Sequence, residues 1–559
     1  MILSQGSAVH GFLEASAQLL PDKIACVQDE ERVSYRQIND MANRLAARLL
    51  QQGVAAGDRV VMLLENSVDY IVSYYGVLKS GAVAVPLNCE VKADTLAPLL
   101  GELQPRALIA CCKSEQLLRG VDPDTLGIPL LVIKNPSAPW NSCRCRVLAW
   151  NDVVRQGELP NPGAAGEASA LASIIYTSGS TGKPKGVMLS HRNIVSNTRS
   201  IVQYLNLTEN DIQMVVLPFF YVMGKSLLNT HVAVGGTVVI NNSFAYPASV
   251  VRQMAAEGVT GFSGVPSTYA YLLHRSPLQA YRDRLGSLRY CTQAGGHMAR
   301  QIKEKLLLAL PPHTRLYIMY GATEAAARLT YVEPERLTSK LDSIGKAIPG
   351  VTVRVLDEKG DEVPNGEPGE LVASGANIML GYWRDAAATA RVLDEHGYHT
   401  GDLGYQDEEG YLYVTGRKDD LLKVGGHRVD PQEIEDAMMA TGLLLEAAVV
   451  GVDDELLGKK VVALAVPLSA GCSQSEILAL CLAKLPRHKL PGEIRFVASL
   501  PKYANSKIDR PACLALFQDQ TDKGVEQSGP RLLPAAGCPT AEPASAAGVR
   551  DGHGIGSLS

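Results

Sequence analysis

The sequence predicts an α/β protein with a large N-terminal domain of layered sheets and helices, a β-rich subdomain, and a small α+β C-terminal domain. Three observations lead to this fold class. Strand and helix patterns alternate from residue 59 to residue 240, short strands with Gly, Asn and Asp turns begin after about residue 345, and a second mixed pattern follows residue 430. The 559 residues also exceed what one hydrophobic core supports, so several domains are expected.

The N-terminal part is predicted to contain parallel sheets with helices on their faces. Residues 34–52 repeat apolar side chains at helical spacing, behind a serine that can cap the helix, and residues 59–66 form a short apolar run typical of a buried strand. Residues 70–88 continue as helix, turn and strand, and the same alternation recurs at 106–133 and 171–240. Strands that alternate with helices in this way are typical of parallel sheets.

The C-terminal part is predicted to fold as a compact α+β unit of about 100 residues, a size that can fold alone. Its pattern is helix, two strands, helix and strand, at residues 431–442, 445–455, 460–468, 473–485 and 493–500. The segment 516–559 is predicted to be a disordered tail, because it becomes rich in Pro, Ala, Gly and Ser without periodicity.

Composition and charge exclude several function classes. The formal net charge of −5 is small for this length, so no basic surface that would recruit nucleic acid is expected. No apolar run approaches the roughly 20 residues that a membrane span requires, and the N-terminal stretch does not resemble a secretory signal. The 11 cysteines lack the paired spacing of a zinc site. We therefore expect a cytoplasmic enzyme or binding protein.

One stretch, YTSGSTGKPKG at 176–186, combines glycines, hydroxyl side chains and two lysines. It lies between a predicted strand that ends at Ser178 and a second strand, so we expect a tight loop. Glycines permit close approach of the backbone, and amide, hydroxyl and ammonium groups together bind an anion such as phosphate. The loop is not a Walker loop, because Pro184 follows Lys183. The predicted phosphate-binding residues are Thr177, Ser178, Gly179, Ser180, Thr181, Gly182, Lys183 and Lys185.

The same stretch resembles the phosphate loop of the adenylate-forming superfamily, which includes acyl- and aryl-CoA synthetases, adenylation domains of nonribosomal peptide synthetases and firefly luciferases. Further blocks that resemble this superfamily follow in its order: AGG (294–296), YGATE (320–324), GELVASGANIMLGYW (369–383), YHTGDLG (398–404), GRKDDLLKVGGHRV (416–429) and NSKIDR (505–510). The resemblance covers about residues 10–515. An ordered set of blocks is much more specific than any one of them.

The resemblance implies ATP and Mg²⁺ as cofactors and assigns roles to particular residues. Tyr320 would lie against the adenine, with Gly321 also at the nucleotide. Thr323 would lie near the α-phosphate and Glu324 would bind Mg²⁺, since a hard cation prefers oxygen ligands. The predicted adenine pocket consists of Gly295, Gly296 and His297.

Asp402 and Arg417 are predicted to bind the ribose. Asp402 is expected to follow Gly401 in a turn, where its carboxylate can accept hydrogen bonds from both ribose hydroxyls. Lys507 matches the lysine of the superfamily and would bridge the substrate carboxylate and the α-phosphate, although Ser506 replaces the usual glycine. The predicted catalytic residues are Lys507, Thr323 and Glu324.

The resemblance also implies that the C-terminal domain moves. It divides the chain into an N-terminal adenylation domain, 1–416, and a mobile C-terminal domain, 417–515, with a hinge at Asp419. Lys507 would enter the cleft for adenylation and then leave, so that a thiol can approach. The residues predicted to meet CoA or a carrier-protein phosphopantetheine are Lys423, Gly425 and Gly426.

The acid pocket is predicted from the same resemblance. Its lining residues would be Phe220, Tyr221, Met223, Lys225, Val265, Ala294 and Ala322. No Asp or Glu lies in 212–250, and an unpaired buried ammonium would be costly, so a neutral-tailed fatty or aryl acid is preferred over an α-amino acid. Two interpretations of Lys225 stay open: it pairs with a second carboxylate or a polar tail of the substrate, or it reaches water or a salt bridge.

Three functions follow as hypotheses. The preferred one is an ATP-dependent acid–thiol ligase that forms an acyl-adenylate with release of PPi and then a thioester with CoA. The first alternative is a stand-alone adenylation enzyme that loads an acyl or aminoacyl group onto a carrier protein in trans. The second is a catalytically silent nucleotide-binding protein. The presence of four residues argues against it: Glu324, Asp402, Arg417 and Lys507.

Overall fold

The computed structural model describes residues 8–137, 140, 145–155, 159–163, 167–177, 184–418, 422–424, 427–454, 458–469, 471–503 and 507–519. Residues 520–559, most of the predicted tail, lie outside this set. Helices and strands alternate through the first half of the chain, and strands predominate between residues 346 and 429.

The helices among the described residues are α1 (Gly11–Leu19), α2 (Tyr35–Gln51), α3 (Val68–Lys79), α4 (Ala93–Leu103), α5 (Glu115–Val121), α6 (Trp150–Val154), α7 (His191–Leu205), α8 (Val222–Val234), α9 (Pro247–Ala256), α10 (Pro266–Arg275), α11 (Arg300–Ala309), α12 (Ala386–Ala390), α13 (Pro431–Met439), α14 (Gln474–Leu482) and α15 (Arg510–Asp519).

The strands are β1 (Ile24–Gln28), β2 (Glu31–Ser34), β3 (Arg59–Leu63), β4 (Val83–Pro86), β5 (Ala107–Cys111), β6 (Leu130–Lys134), β7 (Arg146–Ala149), β8 (Leu171–Thr177), β9 (Lys185–Ser190), β10 (Ile212–Val215), β11 (Thr237–Ile240), β12 (Gly261–Gly264), β13 (Tyr290–Gln293), β14 (Arg315–Tyr320), β15 (Thr330–Val332), β16 (Lys346–Ala347), β17 (Val351–Leu356), β18 (Gly369–Gly375), β19 (Gly381–Tyr382), β20 (Leu393–Asp394), β21 (Gly397–Gln406), β22 (Leu412–Arg417), β23 (Leu422–Val424), β24 (His427–Val429), β25 (Leu444–Asp454), β26 (Gly458–Pro467) and β27 (Glu493–Phe496).

Two large sheets form the body of the N-terminal domain. The first has the strand order β19-β9-β8-β4-β3-β5-β6-β7, and β3 pairs in parallel with both β4 and β5. The second has the order β16-β15-β14-β13-β12-β10-β11-β1-β2. Because β12, β13 and β14 are parallel neighbours, their carboxyl ends meet at one edge, where α/β sheets commonly bind ligands.

Two smaller sheets complete the described structure. One joins β17, β18, β21 and β20, with β22 paired to β21, and corresponds to the predicted β-rich subdomain. The other joins β24, β23, β26 and β25, with β27 parallel to β26. Together with α13, α14 and α15, this last sheet forms the predicted C-terminal α+β unit.

Local sequence signals explain where several helices begin. Ser34 and Ser190 each accept a hydrogen bond from the backbone N–H three residues later, in a capping box, as predicted for Ser34. Two predictions of local structure were wrong. Asp402 lies within the ten-residue strand β21 rather than in a turn, because it pairs with Arg417 of β22. Helix α15 continues to Asp519 and therefore includes the first residues of the predicted tail.

A fully buried lysine ties the N-terminal helices together. The ammonium of Lys79, at the end of α3, lies 3.1 Å from the carboxylate of Glu14 in α1. It also donates hydrogen bonds to the side-chain oxygens of Asn39 and Asn43 in α2 and of Asn161, at 2.7–2.8 Å. Burial lowers the pKa of Lys79, and the charge of Glu14 opposes that shift.

We predict that Lys79→Met destabilises the large domain by about 3–5 kcal/mol, because it leaves Oε1 of Glu14 and Oδ1 of Asn43 enclosed without their cation. Chemical unfolding followed by circular dichroism measures the change. Lys113→Met is the matched control, since the exposed pair of Lys113 with Glu65 (2.8 Å) is worth about 1 kcal/mol or less. Equal effects of the two substitutions would contradict this account.

Candidate active site

A cleft of about 1370 Å³ lies between the large domain and the C-terminal unit. Its walls come from the carboxyl ends of β13 and β14, from β21 and β22, and from the C-terminal unit at α13 and around Lys507. The predicted site residues that line it are Thr177, Lys185, Tyr221, Val265, Gly295, Gly296, His297, Tyr320, Gly321, Ala322, Thr323, Glu324, Asp402, Arg417 and Lys507. The fold therefore brings together residues that are up to 330 positions apart (507 minus 177).

The YGATE block forms the edge of the cleft where β14 ends. Tyr320 is the last residue of the strand, and a short 3₁₀ helix at Thr323–Ala325 follows. Gly321 permits this sharp exit, because a Cβ there would lie only 2.1 Å from the carbonyl oxygen of Ala327. This connection fixes the direction in which Glu324 leaves the backbone.

Glu324 is held by the segment that contains β19. The hydroxyl of Tyr382 donates a hydrogen bond to its Oε1 at 2.8 Å, and the backbone N–H of Met379 donates to its carbonyl oxygen at 2.8 Å. The ammonium of Lys185 lies 5.1 Å from the centre of the Tyr382 ring, a distance typical of a cation–π contact. Tyr382 therefore connects the end of the predicted phosphate loop to the predicted metal ligand.

The protein side chains at the cleft suit a metal ion that is bound partly by the protein and partly by a polyphosphate. Among the described residues, no group of three or more His, Cys, Asp or Glu side chains could hold a metal ion alone. Glu324 supplies one carboxylate in an otherwise open cleft, so the remaining oxygen ligands would come from phosphate and water.

Asp402 already has two protein partners. Its Oδ1 lies 2.9 Å from Nε of Arg417, and its Oδ2 accepts a hydrogen bond from the hydroxyl of Tyr320. Burial, and then the charge of Asp402, raises the pKa of Tyr320 well above its usual value. The three residues predicted to hold the nucleoside are thus in direct contact, and a ribose hydroxyl has to share or replace one of these bonds.

The predicted adenine-pocket residues follow β13, and they divide into two groups. Gly295 has φ of +85° and leaves room beside Val265, whose Cγ1 would lie 3.2 Å from a Cβ at Gly295. His297 instead lies at the domain boundary, with Nε2 2.9 Å from Oδ1 of Asp436 in α13. In the next helix, Gln301 donates a hydrogen bond to the carbonyl oxygen of Ala440 at 2.6 Å. The segment that was predicted to bind adenine therefore also binds the C-terminal unit.

Lys507 reaches the cleft from the C-terminal unit. Its Cε would lie 3.8 Å from a Cβ at Gly295, so its side chain enters the same space as the predicted adenine pocket. Loss of hydration inside the protein lowers the pKa of Lys507, and the positive charge of Arg417 lowers it further. The negative charges of Glu324 and Asp402 oppose this shift. This one ammonium is therefore within electrostatic reach of the principal charged groups of the cleft.

The structure describes only some of the predicted phosphate-loop, hinge and pantetheine residues. Of the phosphate loop, Thr177 and Lys185 are described and line the cleft. The predicted residues outside the described set are Ser178, Gly179, Ser180, Thr181, Gly182, Lys183, Asp419, Gly425 and Gly426. Lys423 lies in β23, and its side chain is not among those described. The hinge and the pantetheine site therefore stay predictions.

The predicted acid pocket is described more completely. Tyr221, Val265 and Ala322 line the cleft, and Met223 lies behind Gly295, with its sulfur 3.9 Å from the position of a Cβ there. Ala294 is buried next to this turn, and the ring of Phe220 packs against Tyr221 at 4.4 Å between centroids.

Lys225 does not line the cleft directly. It is only 2 % exposed, and its ammonium has no hydrogen-bond partner among the described atoms. The interpretation that Lys225 reaches water or a salt bridge was wrong, because the side chain is enclosed between α8 and α3.

The comparisons with known proteins agree with this geometry. A family model described as AMP-binding enzyme matches residues 13–383, and a model described as AMP-binding enzyme C-terminal domain matches residues 433–507. The chain belongs to the AMP-binding enzyme family. The resemblance to the adenylate-forming superfamily that the motifs indicated is therefore confirmed.

Relatives and solved structures match over nearly the whole chain. An indoleacetate–CoA ligase of Aromatoleum aromaticum is 31% identical over 500 residues, covering 89% of this chain and 96% of the relative. A 2-succinylbenzoate–CoA ligase of Bacillus cereus is 29% identical over 509 residues, covering 91% and 98%. The anthranilate CoA ligase AuaEII in complex with anthranoyl-AMP superposes with a TM-score of 0.84 at 25% identity, covering 92% and 98%.

A further solved structure is that of ATP-bound MatB from Rhodopseudomonas palustris, with a TM-score of 0.80 at 26% identity, covering 92% of this chain and 100% of that one. These likenesses confirm the predicted α/β fold class with its additional C-terminal domain.

In the described part of the chain, no helix is both long enough and apolar enough to cross a bilayer.

Sequence reasoning missed three residues that position the site. Tyr382 stands in the GELVASGANIMLGYW block, but its contact with Glu324 spans 58 residues and left no local signal. Asp436 and Gln301 have no motif around them and appear as ordinary helix surface residues in the sequence. Only the folded structure shows that Asp436 contacts His297 and that Gln301 contacts Ala440 across the domain boundary.

We predict that Tyr382→Phe weakens metal-dependent nucleotide binding by about 10-fold, because Glu324 loses the hydrogen bond that orients it. Isothermal titration of ATP at a series of Mg²⁺ concentrations measures the effect, and binding without Mg²⁺ should change little. The substitution keeps the aromatic ring and hence the contact with Lys185. Tyr405→Phe, which affects a ring stacked on Tyr413 far from Glu324 in the sequence, is the control. An equal loss with and without Mg²⁺ would contradict the assignment.

Proposed function

We propose that the protein is an ATP-dependent carboxylic acid ligase that forms an acyl-adenylate with release of PPi and then transfers the acyl group to CoA. The observation that carries this proposal is the position of Lys507. It lies in one cleft with Glu324, Asp402 and Arg417, and the walls of the same cleft include the predicted acid pocket. Relatives over nine-tenths of the chain are named CoA ligases, which supports the same reaction class.

The first step joins two anions, a carboxylate and a triphosphate, so the site has to neutralise and align them before attack. Asp402 and Arg417 would hold the ribose, and Tyr320 the adenine, which fixes the nucleoside end. Lys507 would lie between the carboxylate and the α-phosphate and stabilise the charge that develops there. When bound by Glu324 and phosphate oxygens, Mg²⁺ would supply further charge neutralisation for the leaving PPi.

The second step requires a different arrangement of the C-terminal unit. While Lys507 occupies the cleft, its side chain blocks the space next to Gly295, so a thiol has no free approach. We propose rotation at Asp419, which breaks the contacts of His297 with Asp436 and of Gln301 with Ala440. The strands β23 and β24, with Lys423, Gly425 and Gly426 between or within them, would then face the cleft and meet the pantetheine of CoA.

The acid is proposed to be an aryl or fatty acid. The stretch 212–250, which includes Tyr221, contains no Asp or Glu that could pair with the ammonium of an α-amino acid. The relatives named for indoleacetate and 2-succinylbenzoate support an aromatic acid. The cytoplasmic location and the absence of a nucleic-acid partner stay predictions from the sequence.

A panel of aryl and fatty acids tests the function. Release of PPi from ATP is measured for each acid, with and without CoA, and thioester is detected by mass spectrometry. We expect turnover only when the acid and CoA are both present. Thioester formation only with a holo-carrier protein would support the carrier-loading alternative. Absence of carboxylate-dependent ATP–PPi exchange with every acid would support the catalytically silent alternative and reject the proposal.

We predict that Lys507→Ala lowers acyl-adenylate formation by more than about 100-fold, because the transition state loses the ammonium that is proposed to lie between the carboxylate and the α-phosphate. Conversion of pre-formed acyl-adenylate to thioester should stay within about 3-fold of wild type, since Lys507 leaves the cleft for that step. Single-turnover assays of the two half-reactions measure both rates. Equal loss in both would refute the account with two arrangements.

We predict that Asp436→Asn slows adenylate formation by about 2- to 5-fold, because a half-exposed polar contact between His297 and Asp436 at the domain boundary contributes modestly to closure. The thioester half-reaction should not slow, and KM for ATP should stay unchanged. His297→Ala is the matched partner variant, and the two losses should not add in the double variant. If His297 acts on adenine alone, His297→Ala raises KM for ATP while Asp436→Asn has no effect.

A further inference from the structure

Lys225 is a buried lysine for which the described residues provide no anionic partner. It lies in α8, is 2 % exposed, and its Nζ has no hydrogen-bond partner among the described atoms. Burial lowers its pKa well below the usual value, and among the described residues no carboxylate opposes that shift. The adenylation reaction as proposed does not use this side chain.

The ammonium lies against two aromatic rings of α3. Its Nζ is 5.2 Å from the centre of the Tyr70 ring and 4.3 Å from that of Tyr74. Both hydroxyls are engaged elsewhere: Tyr70 donates to the carbonyl oxygen of Phe219 at 2.8 Å, and Tyr74 accepts from Asn229 at 3.4 Å. The two rings therefore contact Lys225 through their faces, and their hydroxyl oxygens do not accept a hydrogen bond from it.

A second polar group on the same face of α3 also lacks a partner. Ser73 lies between Tyr70 and Tyr74, is fully buried, and its Oγ has no hydrogen-bond partner among the described atoms. Residues 70, 73 and 74 share one face of a helix. Ser73 and Lys225 therefore lie on two helices that contact each other, and each has a polar atom without a partner among the described atoms. Both groups can donate a hydrogen bond to a carboxylate.

This donor pair lies next to the cleft. Tyr221, the residue before α8, lines the cleft, and the backbone N–H of Lys225 donates to its carbonyl oxygen at 3.0 Å. Lys225 is thus one helical turn, about 6 Å, from the cleft wall on the same helix face. Side chains on a helix lean toward its N-terminus, so the stem of Lys225 leans back toward the cleft.

The side chains that lie between the cleft and Lys225 are apolar. The hydrophobic cluster around Tyr70 and Tyr74 continues without interruption to Val265 and Met223, which border the turn at Gly295. An aryl ring or a short alkyl chain could lie against these side chains, with its reacting carboxylate at Lys507 and its far end directed at Lys225.

We propose that Lys225, assisted by Ser73, binds a second carboxylate at the far end of the substrate, so that the preferred acid is a dicarboxylic acid with an apolar middle. This inference rests on the proposed ligase function and deepens it. In the absence of such a substrate the ammonium has only the two tyrosine faces, which compensate part of the cost of burying a charge. A substrate carboxylate would supply the missing counter-ion and accept bonds from both donors.

The test measures carboxylate-dependent ATP–PPi exchange with pairs of acids. Each α,ω-dicarboxylate or phenyl-linked dicarboxylate is paired with the monocarboxylate in which a methyl group replaces the far carboxylate. The ratio of kcat/KM within a pair is compared among wild type, Lys225→Met and Lys225→Ala. The methionine variant keeps most of the stem volume and removes the ammonium, whereas the alanine variant removes both.

We expect the wild-type enzyme to prefer at least one dicarboxylate over its partner. Lys225→Met should lower the dicarboxylate-to-monocarboxylate ratio by roughly 10- to 100-fold, the usual effect of losing a hydrogen bond to a charged group. The change should lie in KM more than in kcat, because the far carboxylate does not react. Lys225→Ala should lower the ratio equally and also lower the melting temperature, since the stem is lost as well.

Two results would overturn the inference. One is a wild-type enzyme that uses no dicarboxylate better than its partner, and the other is a ratio that Lys225→Met leaves unchanged. Exchange with monocarboxylates alone would reject the role of Lys225 but leave the ligase function intact. Absence of exchange with every acid would reject the ligase function and this inference together.

Discussion

The site depends on one placement: the ammonium of Lys507, a residue of the C-terminal unit, lies among charged side chains of the large domain. Glu324, Asp402 and Arg417 are all within electrostatic reach of it. The large domain alone supplies the carboxylates of Glu324 and Asp402 but lacks this cation. The contacts of His297 with Asp436 and of Gln301 with Ala440 hold the two parts in this arrangement. In this structure, contact between the two parts and the assembly of the site therefore go together.

Three buried lysines differ in the partners that compensate the free-energy cost of burying an ammonium group. Lys79 has a carboxylate and three amide oxygens around it, so its burial is compensated within the protein. Lys303, in α11, donates to the carbonyl oxygen of Leu341, and burial lowers its pKa to about 8. Lys225 has only two aromatic faces. Among these three lysines, Lys225 is the one without an oxygen partner in the described structure. For this reason we infer that a ligand supplies one.

Much of the fold was predictable because its signals are local. Alternating strand and helix patterns gave the parallel sheets, and Ser34 and Ser190 marked helix starts through capping boxes. Asp402 was misplaced because Gly401 suggested a turn, whereas pairing with β22 extends the strand through it. That pairing also sets Asp402 opposite Arg417, a partnership that the sequence indicated only through the family resemblance.

The rest of the site could not be read from the sequence, because it depends on contacts between distant segments. Tyr382 meets Glu324 across 58 residues, and His297 meets Asp436 across the domain boundary. The burial of Lys225 depends on the packing of α8 against α3, and no spacing of residues reports it. Motifs identify which residues carry the chemistry, whereas the residues that position them appear only once the chain is folded.

The central claim is that Lys507 and the large domain together enclose the nucleotide. A crystal structure with ATP, Mg²⁺ and a non-reactive substrate analogue tests it most directly. The account predicts adenine beside Gly295 and Tyr320, ribose hydroxyls on Asp402, the metal ion on Glu324, and the Lys507 ammonium within hydrogen-bond distance of the α-phosphate. A nucleotide bound outside this cleft, or bound there with Lys507 directed into solvent, would contradict it.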